Sequence, residues 1–160
     1  MSEHGGANQP DTARSGGPAQ RVHLIVLGVR DVSSASAFYE ALGWRKASTS
    51  HAEFVKFDLG GYALCLLQRE AFARDALEPT AQGSGFAGFA LAYLARAPEE
   101  VAAVLARAAE AGGTVVKAAS PTAWGVAGFF KDPDGHLFEV IYEQGWILDQ
   151  DHRLEVEQLG

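Results

Sequence analysis

Residues Gly128 to Tyr142 read Gly-Phe-Phe-Lys-Asp-Pro-Asp-Gly-His-Leu-Phe-Glu-Val-Ile-Tyr and constrain the fold more than any other stretch. Two apolar runs flank Asp132-Pro133-Asp134-Gly135, where Pro133 presets φ, Asp134 suits a bend and Gly135 accepts a positive φ. The pattern predicts a β-hairpin. Within its second strand, Glu139 stands among Leu137, Phe138, Val140 and Ile141. A carboxylate there is costly unless it is paired, hydrogen-bonded or bound to a metal, so Glu139 is the first candidate functional residue.

The rest of the chain repeats the plan that this hairpin completes. Val22 to Val29 is an aliphatic run of strand length. Asp31 then reads as an N-cap, Val32, Ala35, Phe38, Tyr39 and Leu42 fall at helical spacing, and Gly43 ends the helix. Trp44 to Ser48 and Glu53 to Leu59 read as strands, and Gly60-Gly61 as a hairpin turn into a strand from Tyr62 to Leu67. Residues 69–85 are polar and read as a linker. The second half has a strand at Phe86 to Leu94 and a helix opened by Pro98 with Glu99 and Glu100 in its first turn. Strands follow at Thr114 to Lys117, Val126 to Phe130 and Leu137 to Tyr142. The expected architecture is therefore α+β, two βαβββ modules at about 21–68 and 86–144, forming one domain over 21–145.

Residues 1–20 carry no large apolar side chain after Met1 and are expected to form a disordered tail. Residues 145–160 form a C-terminal tail with Trp146, Leu148 and Leu154 among acids. A net charge of −7 argues against a nucleic-acid partner and favours neutral or cationic ligands. No apolar run reaches the roughly 20 residues of a membrane span, so no membrane partner is expected. The single cysteine, Cys65, excludes an internal disulfide, and with no apolar leader visible a cytoplasmic location is expected.

These modules, the opening Leu27-Gly28-Val29-Arg30-Asp31 with Phe38-Tyr39-Glu40-Ala41-Leu42-Gly43-Trp44, and the closing hairpin resemble the vicinal oxygen chelate superfamily. It groups glyoxalase I, bleomycin resistance proteins, fosfomycin resistance enzymes and extradiol dioxygenases. The resemblance implies curled mixed sheets forming a cup, a homodimer, and a divalent metal (Zn, Ni, Mn or Fe) held by inward residues of the modules' first and last strands. Carried over, those positions are Leu24, Cys65, Gly88 and Glu139. Leu24 and Gly88 bring no donor, whereas a catalytic metal site needs about three protein ligands.

Two functional readings follow, beside a third in which the cup is filled by its own side chains and the protein is a scaffold. In one, the protein uses no cofactor and binds a small hydrophobic or cationic molecule in the cup, as in antibiotic sequestration. Glu139 is then the charge partner, Trp124 and Phe129 stack on the ligand, and Phe54, Lys56, Cys65, Val26, Gly88, Ala90 and Ile141 line the wall. In the other, Glu139 and His23 hold a divalent metal in a lyase, isomerase, transferase or dioxygenase, with His23 entering the cup by a one-residue shift of register. His136 and His51 are expected to be turn residues facing solvent.

Overall fold

The computed structural model describes residue 18, residues 20–83 and residues 85–157. The expected N-terminal tail lies almost wholly outside the described residues. The order of elements is β1 (Leu24–Val29), α1 (Val32–Leu42), β2 (Phe54–Asp58), β3 (Ala63–Gln68), α2 (Arg69–Asp75), β4 (Leu91–Leu94), α3 (Pro98–Glu110), β5 (Thr114–Pro121), β6 (Gly125–Lys131) and β7 (Leu137–Glu143). Strands β1-β3-β2 form one sheet and β4-β7-β6-β5 the other, each with one parallel pair, β1 with β3 and β4 with β7. Both modules place a crossover helix on one face of their sheet, and the short α2 packs on the opposite face of the first sheet, against Gly28.

Local chemistry accounts for the elements. The Asp31 carboxylate caps α1 by accepting from the Ser34 N–H at 2.7 Å, and Gly43 closes the helix at φ 112°. Helix α3 lacks a side-chain N-cap, but Glu100 in its first turn accepts from the Arg96 N–H at 2.7 Å and the Tyr93 hydroxyl at 2.9 Å. Its carboxylate thus ties the residue before the N-cap Ala97 to the first turn of the helix. Gly128 lets α3 close onto its sheet, because a Cβ there would lie 2.5 Å from Leu105 Cδ1 and 2.8 Å from the Lys117 carbonyl.

Three expectations about the elements are corrected. Trp44 to Ser48 is not a strand; it makes one isolated bridge, Lys46 to Phe57, so the first sheet has three strands. The linker contains α2, which Gln68 caps by accepting from the Ala71 N–H at 2.8 Å. Strand β4 begins at Leu91 rather than Phe86, because Gly85 and Gly88 take φ values of 79° and 82° that extended pairing does not allow.

The core spans both modules. Leu27, Val29, Val55, Phe57, Leu64 and Leu66 cover the helix side of the first sheet, and Phe130, Phe138 and Val140 that of the second. Tyr39 on α1, fully buried, stands between them, its ring centroid 5.6 Å from Phe57 and 6.2 Å from Phe138. Its hydroxyl donates to Asp132 Oδ2 at 2.7 Å, and Asp132 is itself buried.

Asp132 anchors the turn that the sequence singled out. Its Oδ1 accepts from the N–H groups of Asp134 and His136 at 3.0 and 2.8 Å, while His136 Nδ1 lies 2.8 Å from Oδ2. His136 is thus a half-buried partner of a buried carboxylate, not a solvent-facing turn residue: the turn folds its ring back over four residues. Arg30 adds an outer tie, donating its N–H to Asp134 Oδ1 at 2.8 Å and its guanidinium to the Pro133 carbonyl at 2.7 Å. Together these bonds latch the β6–β7 turn of module two to α1 and the β1–α1 corner of module one.

Candidate functional site

Side chains on the sheet faces turned away from α1 and α3 follow from strand register. In the first sheet Val26, Cys65 and Lys56 stand in one row across β1, β3 and β2, flanked by Phe54 opposite Leu67. In the second, Ala92, Glu139, Phe129 and Lys117 form the corresponding row, with Ile141 opposite Ala127 in the next row on the same face. Alternation puts each set on one face. Cys65 and Glu139 therefore hold equivalent positions, as do Val26 and Ala92, and Lys56 and Phe129.

The equivalence corrects one assignment. Two residues before Val26 stands Leu24, and two before Ala92 stands Ala90, so the counterpart of Leu24 is Ala90. Gly88 lies outside the strand, two residues beyond that position.

The two rows differ in chemistry. Glu139 is half-buried, with Phe129 beside it across the strand pair, and among the described residues no hydrogen-bond donor or cation pairs with its carboxylate. Cys65 is fully buried, and burial pushes its thiol pKa up, partly offset by the nearby Lys56 ammonium. A thiol held protonated is a poor nucleophile. Its reaction with a water-soluble disulfide reagent should be slower in the native chain than in the chemically unfolded one by roughly 100-fold or more. Equal rates would mean that the row around Cys65 is open to solvent.

Trp124 does not join these rows. It is 75% exposed in the β5–β6 turn, five residues from Phe129, or about 17 Å at the rise of a strand. There it borders a shallow hollow of about 740 Å³ with Tyr142 and Glu143. His23 is exposed and precedes β1, where its carbonyl accepts from the Ala63 N–H at 3.0 Å. Alternation from Leu24 turns its side chain away from the face that carries Cys65. His51 is exposed in the turn before β2, its ring 6.3 Å from that of Phe54.

Comparison with known proteins bears on this arrangement. The sequence pattern of the Glyoxalase/Bleomycin resistance protein/Dioxygenase superfamily matches residues 21–140. The chain belongs to this superfamily. Among solved structures it is similar to a glyoxalase-related enzyme from Fulvimarina pelagi, with 28% identity and a TM-score of 0.76 over 85% of this chain and 97% of that one. A family enzyme from Burkholderia phytofirmans PsJN shares 24% identity at a TM-score of 0.67, over 75% of this chain and 96% of that one. A lactoylglutathione lyase from Agrobacterium tumefaciens shares 22% at 0.57, over 79% and 96%. No curated protein matches the sequence.

The superfamily includes metalloenzymes, but the donor set here does not fit a divalent ion. Of the four corresponding positions, Leu24 and Ala90 offer no donor, Cys65 is a buried thiol with a raised pKa, and Glu139 alone is a hard ligand. Among the described residues no cluster of three or more His, Cys, Asp or Glu side chains could hold a metal. Among the described residues, too, no helix is long and apolar enough to cross a membrane.

Proposed function

We propose that this superfamily member binds a small hydrophobic cation on the sheet faces, without a metal, and acts by sequestration. The observation that carries the reading is Glu139, a half-buried carboxylate without a partner among the described residues, set between Ala92 and Phe129 in a row that ends at Lys117. Such a carboxylate, open to water and without a protein partner among the described residues, is available to an incoming cation. Phe129 offers the ring face on which a cationic group settles. Lys56, in the equivalent place on the other sheet, disfavours a cation there, so the charged end of the ligand lies on module two and its apolar end against Val26 and Phe54. A homodimer in which one copy's first sheet covers the other's second would close the cup.

Calorimetric titration with a panel of aromatic cations tests this reading. Binding should weaken by about 10- to 100-fold in Glu139→Gln, the loss typical of a hydrogen bond to a charged group. Protein purified without chelator should carry no stoichiometric divalent metal. A bound ion that is lost on Glu139→Ala would sink the proposal and restore the metalloenzyme reading.

A further inference from the structure

A larger cavity, of about 1150 Å³, lies between the modules, lined mainly by helix-side core residues and reaching round β4 to Ala92, without touching Glu139 or Cys65. Its lining includes the core residues Leu64, Phe130 and Phe138 and the half-buried Trp44, Leu91 and Val104. It borders the edge strands β1, at Ile25, and β4. The volume is at or above the upper end for small-molecule pockets, and the walls are mainly apolar.

The C-terminal segment walls one side of this cavity. Leu148 and Leu154 form an isolated antiparallel bridge and both face the space. Between them, Asp149 Oδ1 accepts from the N–H groups of Asp151 and Arg153 at 2.8 and 2.9 Å, which tightens the loop. Arg96 ties it to module two by donating to the Asp149 carbonyl and to His152 Nδ1. The loop is thus a fixed wall.

Charge around the cavity runs against the charge of the chain. The protein carries −7 overall, yet Arg21, Arg107 and Arg153 border this space against Asp58 and Asp151. Asp58 already accepts from the Gly60 N–H at 2.8 Å. None of the three guanidinium groups lies within ion-pair distance of a carboxylate among the described residues. A guanidinium presents a planar fork of donors that matches a carboxylate.

We propose that this inter-module cavity is a second small-molecule site, selective for an amphipathic carboxylate whose apolar body enters between Trp44, Phe130 and Phe138 and whose head meets Arg107 and Arg153. It is independent of the cation reading for the faces that carry Glu139 and Cys65, since its occupant has the opposite charge and other contacts.

The test titrates the full chain with decanoate, decyltrimethylammonium and decanol below their aggregation limits, following tryptophan emission and calorimetric stoichiometry. One decanoate should bind per chain, at least 10-fold tighter than either other probe. Affinity should fall at least 10-fold in Arg107→Ala/Arg153→Ala and remain in the surface control Arg74→Ala. Ala103→Trp, at an exposed helix position on the cavity wall, should block binding while circular dichroism stays native. Equal binding of the three probes, many molecules bound per chain, no binding of decanoate, or binding that survives Ala103→Trp or the double arginine variant would each overturn the proposal.

Discussion

Asp132→Ala should lower stability by about 3–5 kcal/mol, the cost of removing one partner from a buried charged network. For a domain of this size that corresponds to a fall in Tm of about 10–20 °C. The deletion leaves the Tyr39 hydroxyl, the His136 ring and the N–H groups of Asp134 and His136 without their acceptor in a buried place. Asp132→Asn should lose less, because one oxygen stays. Thermal melts of the three proteins at neutral pH give the ranking, and a change below about 1 kcal/mol for the alanine variant would show that the latch does not hold the modules.

The same carboxylate sets a pH dependence. Burial pushes its pKa up, but the hydrogen bond and charge of His136 together with the Tyr39 hydroxyl outweigh burial and hold it below the usual carboxylate value of 3.8. A group whose folded pKa is depressed contributes stability that is present above the unfolded pKa and lost as pH falls through the folded one. The native chain should therefore lose this increment from about pH 4 downward. Asp132→Asn should lack that step while sharing the response of the other carboxylates.

Phe138→Ala should cost a similar 3–5 kcal/mol, as a large core aromatic does when truncated. Phe138 is buried, stacks on Phe130 at 4.8 Å with the rings 8° from parallel, and also meets Tyr39 of the other module. Its removal opens a space at the seam of the modules rather than inside one of them. Urea denaturation of Phe138→Ala, Tyr39→Leu and the double variant should therefore give a coupling of about 0.5–3 kcal/mol. Strict additivity would mean that the two rings act independently, against the packing described.

Much of this could be read from the residues. Alternation in Glu53 to Leu59 and in Leu137 to Tyr142 assigns faces because a strand's period is two, and both hairpin turns declare themselves in Gly60-Gly61 and Asp134-Gly135. The order of elements and the equivalence of Cys65 with Glu139 follow. What escaped was long-range. Nothing near His136 reveals that Asp132 will be buried by Tyr39, 93 positions away in the chain. Trp44 to Ser48 has strand composition, but only one bridge forms there. Arg69 to Asp75 carries a usable signal, with Glu70, Ala71 and Ala73 favouring a helix behind Gln68, and the polar character of the linker masked it. Trp124 illustrates a further limit, since an aromatic residue beside a strand has no parity until the turn is known.

The division into two sheets has one more consequence. Every strand pairs within its own module, and the modules are joined by side chains: the Tyr39–Asp132 latch, Arg30 at the turn, and the aromatic seam. Among the described residues of 76–90, none adds a helix or strand to that union. Their physical role is to keep two complementary partners at high effective concentration. In energetic terms the protein is a tethered heterodimer written on one chain, and a cut in the tether would turn an intramolecular fit into a concentration-dependent one without removing any contact that makes it.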